Sequence, residues 1–149
     1  MGIASSTAAR ITVRVQADPF EPWRVLDEHS SGAPGSVGAT AVFVGTLRDF
    51  NHGENVTAMT LEHYPGMTEK YLHAVCVEAA ARWALDDILV IHRFGELLPG
   101  DPIVLVSVSS AHRDAAFAAC RYIIDELKTR APFWKKEATR NEERWVRPD

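Results

Sequence analysis

The chain has 149 residues, a formal net charge of −4, an apolar content of 46% and a charged content of 24%. That length suits one domain, and the acidic balance argues against a general nucleic-acid binder. No apolar run approaches the roughly 20 residues of a membrane span, and Met1 to Arg10 lacks the apolar core of a secretory signal, so a cytoplasmic protein is expected.

In chain order, Ile11 to Val15 alternates β-branched with polar residues and reads as a first strand. Phe20 to His29 reads as a short helix, with proline at an early position after Asp18-Pro19. Ser30 to Ser36 is a loop by composition. Gly38 to Leu47 is a strongly apolar strand, followed by a flexible polar connection from Arg48 to Asn55. Val56 to His63 alternates again, and its Met59/Leu61 face should pack inward. After Pro65-Gly66, the spacing predicts a helix from Met67 to Leu85 with Tyr71, Ala74, Val75 and Ala81 near one face.

Asp86-Asp87 leads into a strand at Ile88 to His92, and Leu98 to Asp101 is a turn. Ile103 to Ser109 is another strand, with Val104, Val106 and Val108 on one side. Ser110 can cap the helix that follows, and Asp114 in its first turn suits the helix dipole. That helix should run to about Arg130, burying Ala116, Ala119, Ile123 and Leu127, until Pro132 stops it. Phe133 to Glu137 and Arg144 to Val146 read as short strands or extended tail. Paired consecutive strands with well-spaced helices give an α+β fold, a mixed or antiparallel sheet with three main helices. One domain spans residues 1–149, with 1–10 flexible and 138–149 a tail.

The charge is unevenly spread. Residues 128–147 carry seven basic residues against three acidic, while residues 1–127 carry nine against sixteen. Three of the four lysines, Lys128, Lys135 and Lys136, fall within nine residues. A cationic locus on an acidic body suits a small anionic ligand. Cys76 and Cys120 form no CxxC and read as buried reduced thiols. The six histidines include no HExxH, and no phosphate loop, GxGxxG or GxSxG motif is present, so no metal knuckle or redox motif is expected.

Three stretches carry candidate chemistry. Phe43 to Asp49 is a buried strand that ends at Gly45 and presents Arg48, a bidentate binder of phosphate or carboxylate. Ser109 to Arg113 is a strand-to-helix turn, where main-chain N–H groups and the dipole favour an anion. His112 and Arg113 add a proton carrier and a cation there. Leu127 to Glu137 sets Lys128 at a helix end and Lys135 after a rigid Pro132-aromatic turn, with Phe133 and Trp134 able to wall off water. A partly dry pair of lysines gives up a proton more readily than arginine, so Lys128 and Lys135 are the expected catalytic pair. Glu137 is expected to orient a neighbouring base. Lys136 points the other way along an extended segment and should matter less.

Thr60 to Met67, His92 to Leu97, Ser110 to Arg113 and Leu127 to Glu137 together resemble the large subunit of molybdopterin synthase, from about Gly38 to Val146. The resemblance implies an α/β hammerhead fold. It implies an enzyme that converts cyclic pyranopterin monophosphate to molybdopterin by installing two dithiolene sulfurs. Each sulfur would arrive as a thiocarboxylate on the C-terminal glycine of a small ubiquitin-like carrier. It further implies a homodimer with one small subunit at each far end, a heterotetramer, with no cofactor of its own. Substrate binding would fall to Arg48, His112, Arg113, Lys128, Lys135, Lys136 and Glu137. A non-catalytic adaptor that holds a carrier's tail in the same basic cleft is the alternative, and Lys-to-Arg substitution separates the two.

Overall fold

The computed structural model describes residues 8–51, 53–140 and 142–146. Along the chain they form β1 (Arg10–Gln16), α1 (Pro22–Ser30), β2 (Ala39–Thr46), β3 (Phe50–Asn51), β4 (Glu54–His63) and α2 (Met67–Arg82). There follow β5 (Asp87–Arg93), β6 (Gly95–Leu97), β7 (Pro102–Ser110), α3 (Arg113–Thr129), β8 (Phe133–Thr139) and β9 (Glu143–Val146). The class is α+β, with the strands in two sheets.

The first sheet has the order β1-β5-β7-β2. β1 runs parallel to β5, while β5–β7 and β7–β2 are antiparallel. β5 is buried on both faces. Ile88 and Val90 join Val104, Val106 and Val108 beneath α2 and α3, whereas Leu89 and Ile91 pack with Leu105 and Phe20 beneath α1. Double-sided burial is why this strand reads as an unbroken apolar run. The second sheet, β3-β4-β8-β9 with β6 on β4, is antiparallel and closes a smaller core of Leu47, Val56, Met59, Leu61 and Leu97.

Several boundaries and faces differ from the sequence reading. The connection expected to be flexible carries β3, paired through Phe50↔Asn55, and His52 within it lies outside the described residues. Alternation sets Val56 opposite Met59 and Leu61, yet all three are buried together. A register shift between Val56 and Ala58 accounts for this, since one extra residue exchanges the two faces. α2 stops at Arg82 and buries Thr68, Leu72, Val75, Cys76 and Ala79, a stripe at i, i+4, i+7, i+8 and i+11, while Ala74 and Ala81 are exposed. The cap of α3 is His112, not Ser110. Ser110 Oγ instead donates to the Ala84 carbonyl. Of the N-terminal stretch expected to be flexible, residues 1–7 lie outside the described residues and Arg10 opens β1. Of the stretch expected to be a tail, Ala138 and Thr139 complete β8 and Glu143–Val146 forms β9, which pairs with it through Lys135↔Val146 and Ala138↔Glu143, while residues 141 and 147–149 lie outside the described residues.

Candidate active site

The two sheets meet where α3 ends. The last turn of α3 presents Lys128, and Arg130 closes the helix with its N–H on the Glu126 carbonyl. Pro132 cannot continue a helix and biases Ala131 to extended backbone, so β8 starts at once. On β8, Phe133 and Lys135 sit two residues apart and therefore share a face. Lys128 and Lys135, from different elements, line one cleft of about 90 Å³ together with Thr46, His92 and Phe133. The remaining lining is mostly apolar, from Leu61, Ile103, Val104, Ile124 and Leu127. That volume falls below the roughly 300–1,000 Å³ of a small-molecule pocket, so the cleft suits a narrow terminus better than a fused ring.

Gly45 forms part of the cleft wall. A Cβ there would stand 2.7 Å from Val104 Cγ1, and valine is stiff at χ1, so only glycine lets β2 lie this close to β7. The ladder shifts register between Gly45 and Thr46, where the strand reaches the cleft.

His92 is the cleft residue that the sequence reading passed over. It is 8% exposed, stacks on Phe133 with ring centroids 3.8 Å apart and planes 16° apart, and places Nδ1 2.8 Å from the Arg93 carbonyl. A carbonyl only accepts, so Nδ1 carries the proton. Burial pushes the imidazole down to about 4, with Lys135, His63 and Lys128 adding to the depression against the Arg93 carbonyl bond. Its neighbour Arg93 is 5% exposed and holds the scaffold. Its guanidinium donates to the Ala17 carbonyl at 2.8 and 3.1 Å and to Glu96 O at 3.5 Å, and lies 3.6 Å from Asp101. Gly95, with φ of 85°, turns the chain back into β6.

The other candidate residues divide into groups. Arg48 is exposed, two residues beyond Thr46. His112 and Arg113 are exposed at the opposite end of α3 from Lys128, roughly 24 Å away at 1.5 Å per residue. Within one chain the lysine cleft and the His112-Arg113 end do not meet. Lys136 faces the other side of β8, 2.9 Å from Glu143 and 5.9 Å from the Trp145 ring centroid. The hydrogen bond to Glu143 raises its pKa. Glu137 is buried and does not line the cleft. Its carboxylate accepts from Asn51 Nδ2 at 2.9 and 3.0 Å and lies 3.7 Å from Arg144 Nε, so it ties β3 and β9 to β8. Of the two aromatics expected to wall off water, Phe133 does so, while Trp134 is 41% exposed and meets Tyr64 edge-on at 4.7 Å.

Among the described residues no helix is long and apolar enough to cross a membrane, and no cluster of His, Cys, Asp or Glu has metal-binding geometry. Residues 15–130 match the family model described as MoaE protein. The chain is 56% identical over 135 residues to the molybdopterin synthase catalytic subunit of Vibrio cholerae, covering 90% of this chain and 88% of that one. It is 59% identical over 109 residues to that of Escherichia coli, 73% of each chain. Among solved structures, the molybdopterin biosynthesis MoaE protein of Burkholderia ambifaria superposes with a TM-score of 0.78 at 48% identity, covering 93% of this chain and 90% of that one. Molybdopterin synthase of Staphylococcus aureus gives 0.80 at 29% identity, with 89% and 95% covered. A Helicobacter pylori chain, from a complex of subunits 1 and 2 of molybdopterin-converting factor, shares the fold at 19% identity with a TM-score of 0.75, covering 90% of this chain and 89% of that one. The chain belongs to the MoaE family, that of molybdopterin synthase catalytic subunits.

Proposed function

We propose that the chain transfers sulfur from the C-terminal thiocarboxylate of a small ubiquitin-like carrier to cyclic pyranopterin monophosphate, forming the dithiolene of molybdopterin. The observation that carries the reading is the convergence of Lys128 and Lys135 on one narrow, largely apolar cleft. A thiocarboxylate on a glycine terminus is anionic and thin, and two ammonium groups in a low-dielectric cleft attract it strongly. The thiocarboxylate sulfur is itself the nucleophile, so no cysteine is needed. Cys76 and Cys120 are buried, with thiols pushed up by burial to about 12 and 11, which suits them to packing and not to attack. The lysines then serve the proton transfers of ring opening, loss of water and hydrolysis of the acyl link to the carrier.

Arg48, His112 and Arg113 bind the phosphate and pterin of the substrate in this reading. Because the His112-Arg113 end lies far from the cleft of its own chain, one substrate touches both only if a second copy supplies one of them. A homodimer inside a heterotetramer provides that second copy, and the assembly works in the cytoplasm. The test mixes purified chain, thiocarboxylated carrier and cyclic pyranopterin monophosphate, and measures dithiolene product. Carrier binding without product would favour the adaptor reading. A monomeric mass by light scattering at micromolar protein would remove the shared site.

A further inference from the structure

The cleft's side chains are unbalanced in hydrogen bonding. Four of the lining residues bring polar side chains: Thr46, His92, Lys128 and Lys135. The two ammonium groups only donate, and the Thr46 hydroxyl can do either. A glycine terminus brings more than its anionic end. The amide N–H that joins that glycine to the rest of the tail is a donor, and inside an apolar cleft it needs an acceptor. Lysines cannot supply one.

His92 can. Its Nδ1–H is committed to the Arg93 carbonyl at 2.8 Å, which leaves Nε2 as the one ring atom with a lone pair. The ring is fixed by its stack on Phe133 and forms part of the cleft wall. Phe133 and Lys135 are alternate residues of β8, roughly 6.6 Å apart along the strand. Stacked on the first of these, the imidazole lies about two residues along the strand from the Lys135 stem, whose flexible length can carry the ammonium to the carboxyl end of a tail bound at the imidazole. The charged and titratable groups around it are Lys128 on α3, Lys135 on β8 and His63 on β4.

We propose that His92 is a tail-binding residue: its Nε2 accepts a hydrogen bond from the amide N–H of the carrier's terminal glycine while Lys128 and Lys135 hold the carboxyl end. This rests on the reading that the cleft receives the carrier tail. Depressed to about 4, the imidazole stays an uncharged acceptor at neutral pH and adds no third cation. The role differs from proton transfer, for which so weak a base is poorly matched at neutral pH.

The test is a two-by-two comparison of carrier affinity, measured by calorimetry on the full chain. One carrier ends in glycine; the other is semisynthetic and ends in glycolate, replacing that amide N–H by an ester oxygen. Each is titrated into wild-type protein and into His92→Phe, which keeps an aromatic ring on Phe133. We expect wild type to bind the ester carrier about five- to tenfold more weakly, and His92→Phe to bind both carriers within about twofold. Equal affinity of wild type for both, or the same ester penalty in His92→Phe, overturns the proposal. If His92→Phe does not fold, the wild-type imidazole decides. Its ¹⁵Nε2 resonance should move toward the hydrogen-bonded position with glycine-ended carrier and not with glycolate-ended carrier, and an unmoved resonance overturns the assignment. Lys135→Ala separates the two levels of inference. If it binds the carrier as tightly as wild type, the tail does not enter this cleft and both fall; if it binds weakly but no ester penalty exists, only the role of His92 falls.

Discussion

Replacing Arg93 with methionine keeps an unbranched side chain of similar reach and removes the guanidinium. The group is 6% exposed and donates twice to the Ala17 carbonyl, at 2.8 and 3.1 Å. That carbonyl lies in the connection from β1 to α1, so the loss unpins α1 from the first sheet. A charged hydrogen bond contributes roughly 1.5–3 kcal/mol, and both bonds share one acceptor, so they count as little more than one. The contact to Glu96 O at 3.5 Å is long and adds little. Asp101, with 39% of its side chain exposed, recovers much of its lost partner from water. The expected loss is about 3 kcal/mol, or roughly 6–12 °C in melting temperature for a chain of this size. Urea unfolding followed by circular dichroism, with dithiolene formation measured well below the transition, checks it. A loss under about 1 kcal/mol with unchanged turnover would show that Arg93 does not hold the scaffold as its bonds indicate.

Lys128 and Lys135, each replaced by Ala and by Arg, should lose about 10²-fold or more in dithiolene formation at saturating carrier, with smaller losses at Lys136; near-full turnover in both Arg variants makes the pair purely electrostatic. Arg113→Ala should weaken substrate binding by about 1.5–3 kcal/mol, and unchanged affinity removes it from the site. His92 also sets an acid limit on stability. Its folded value of about 4 lies below the unfolded 6.5, so between those values the unfolded chain binds a proton that the folded chain does not. Stability is then complete above pH 6.5 and falls on acidification toward pH 4, by up to about 3 kcal/mol from this group. Denaturation midpoints across that window should fall less steeply in His92→Gln than in wild type, and equal slopes would contradict the assignment.

The sequence by itself determined the strands whose burial is uniform or strictly alternating. β5 and β7 are legible because every second or every residue faces a core, and α3 because Ala116, Ala119, Ile123 and Leu127 fall on one stripe against polar residues. Short motifs located Lys128 and Lys135, since a helix end and a proline fix both positions locally. The face of α2 was legible at Tyr71 and Val75 only, for a physical reason. Alanines at 74, 79, 80 and 81 surround the helix, so the pattern lacks contrast, and packing against the first sheet chose Leu72, Val75, Cys76 and Ala79. Val56 reaches the core through a register shift that alternation cannot announce.

The tertiary structure alone decided how the charged groups are used. Glu137 looks like an orienting carboxylate in the chain, but Asn51, 86 residues away, takes both its oxygens. Lys128 and His112 are both expected at the substrate, but a rigid helix holds them at opposite ends. His92 is one imidazole in an apolar strand. Burial keeps it neutral, the Arg93 carbonyl sets its tautomer, and a ring on β8 that stacks against it fixes its plane. Periodicity reports which residues leave water; it does not report which distant partner each polar group meets once there, because that is set by the packing of elements far apart in the chain.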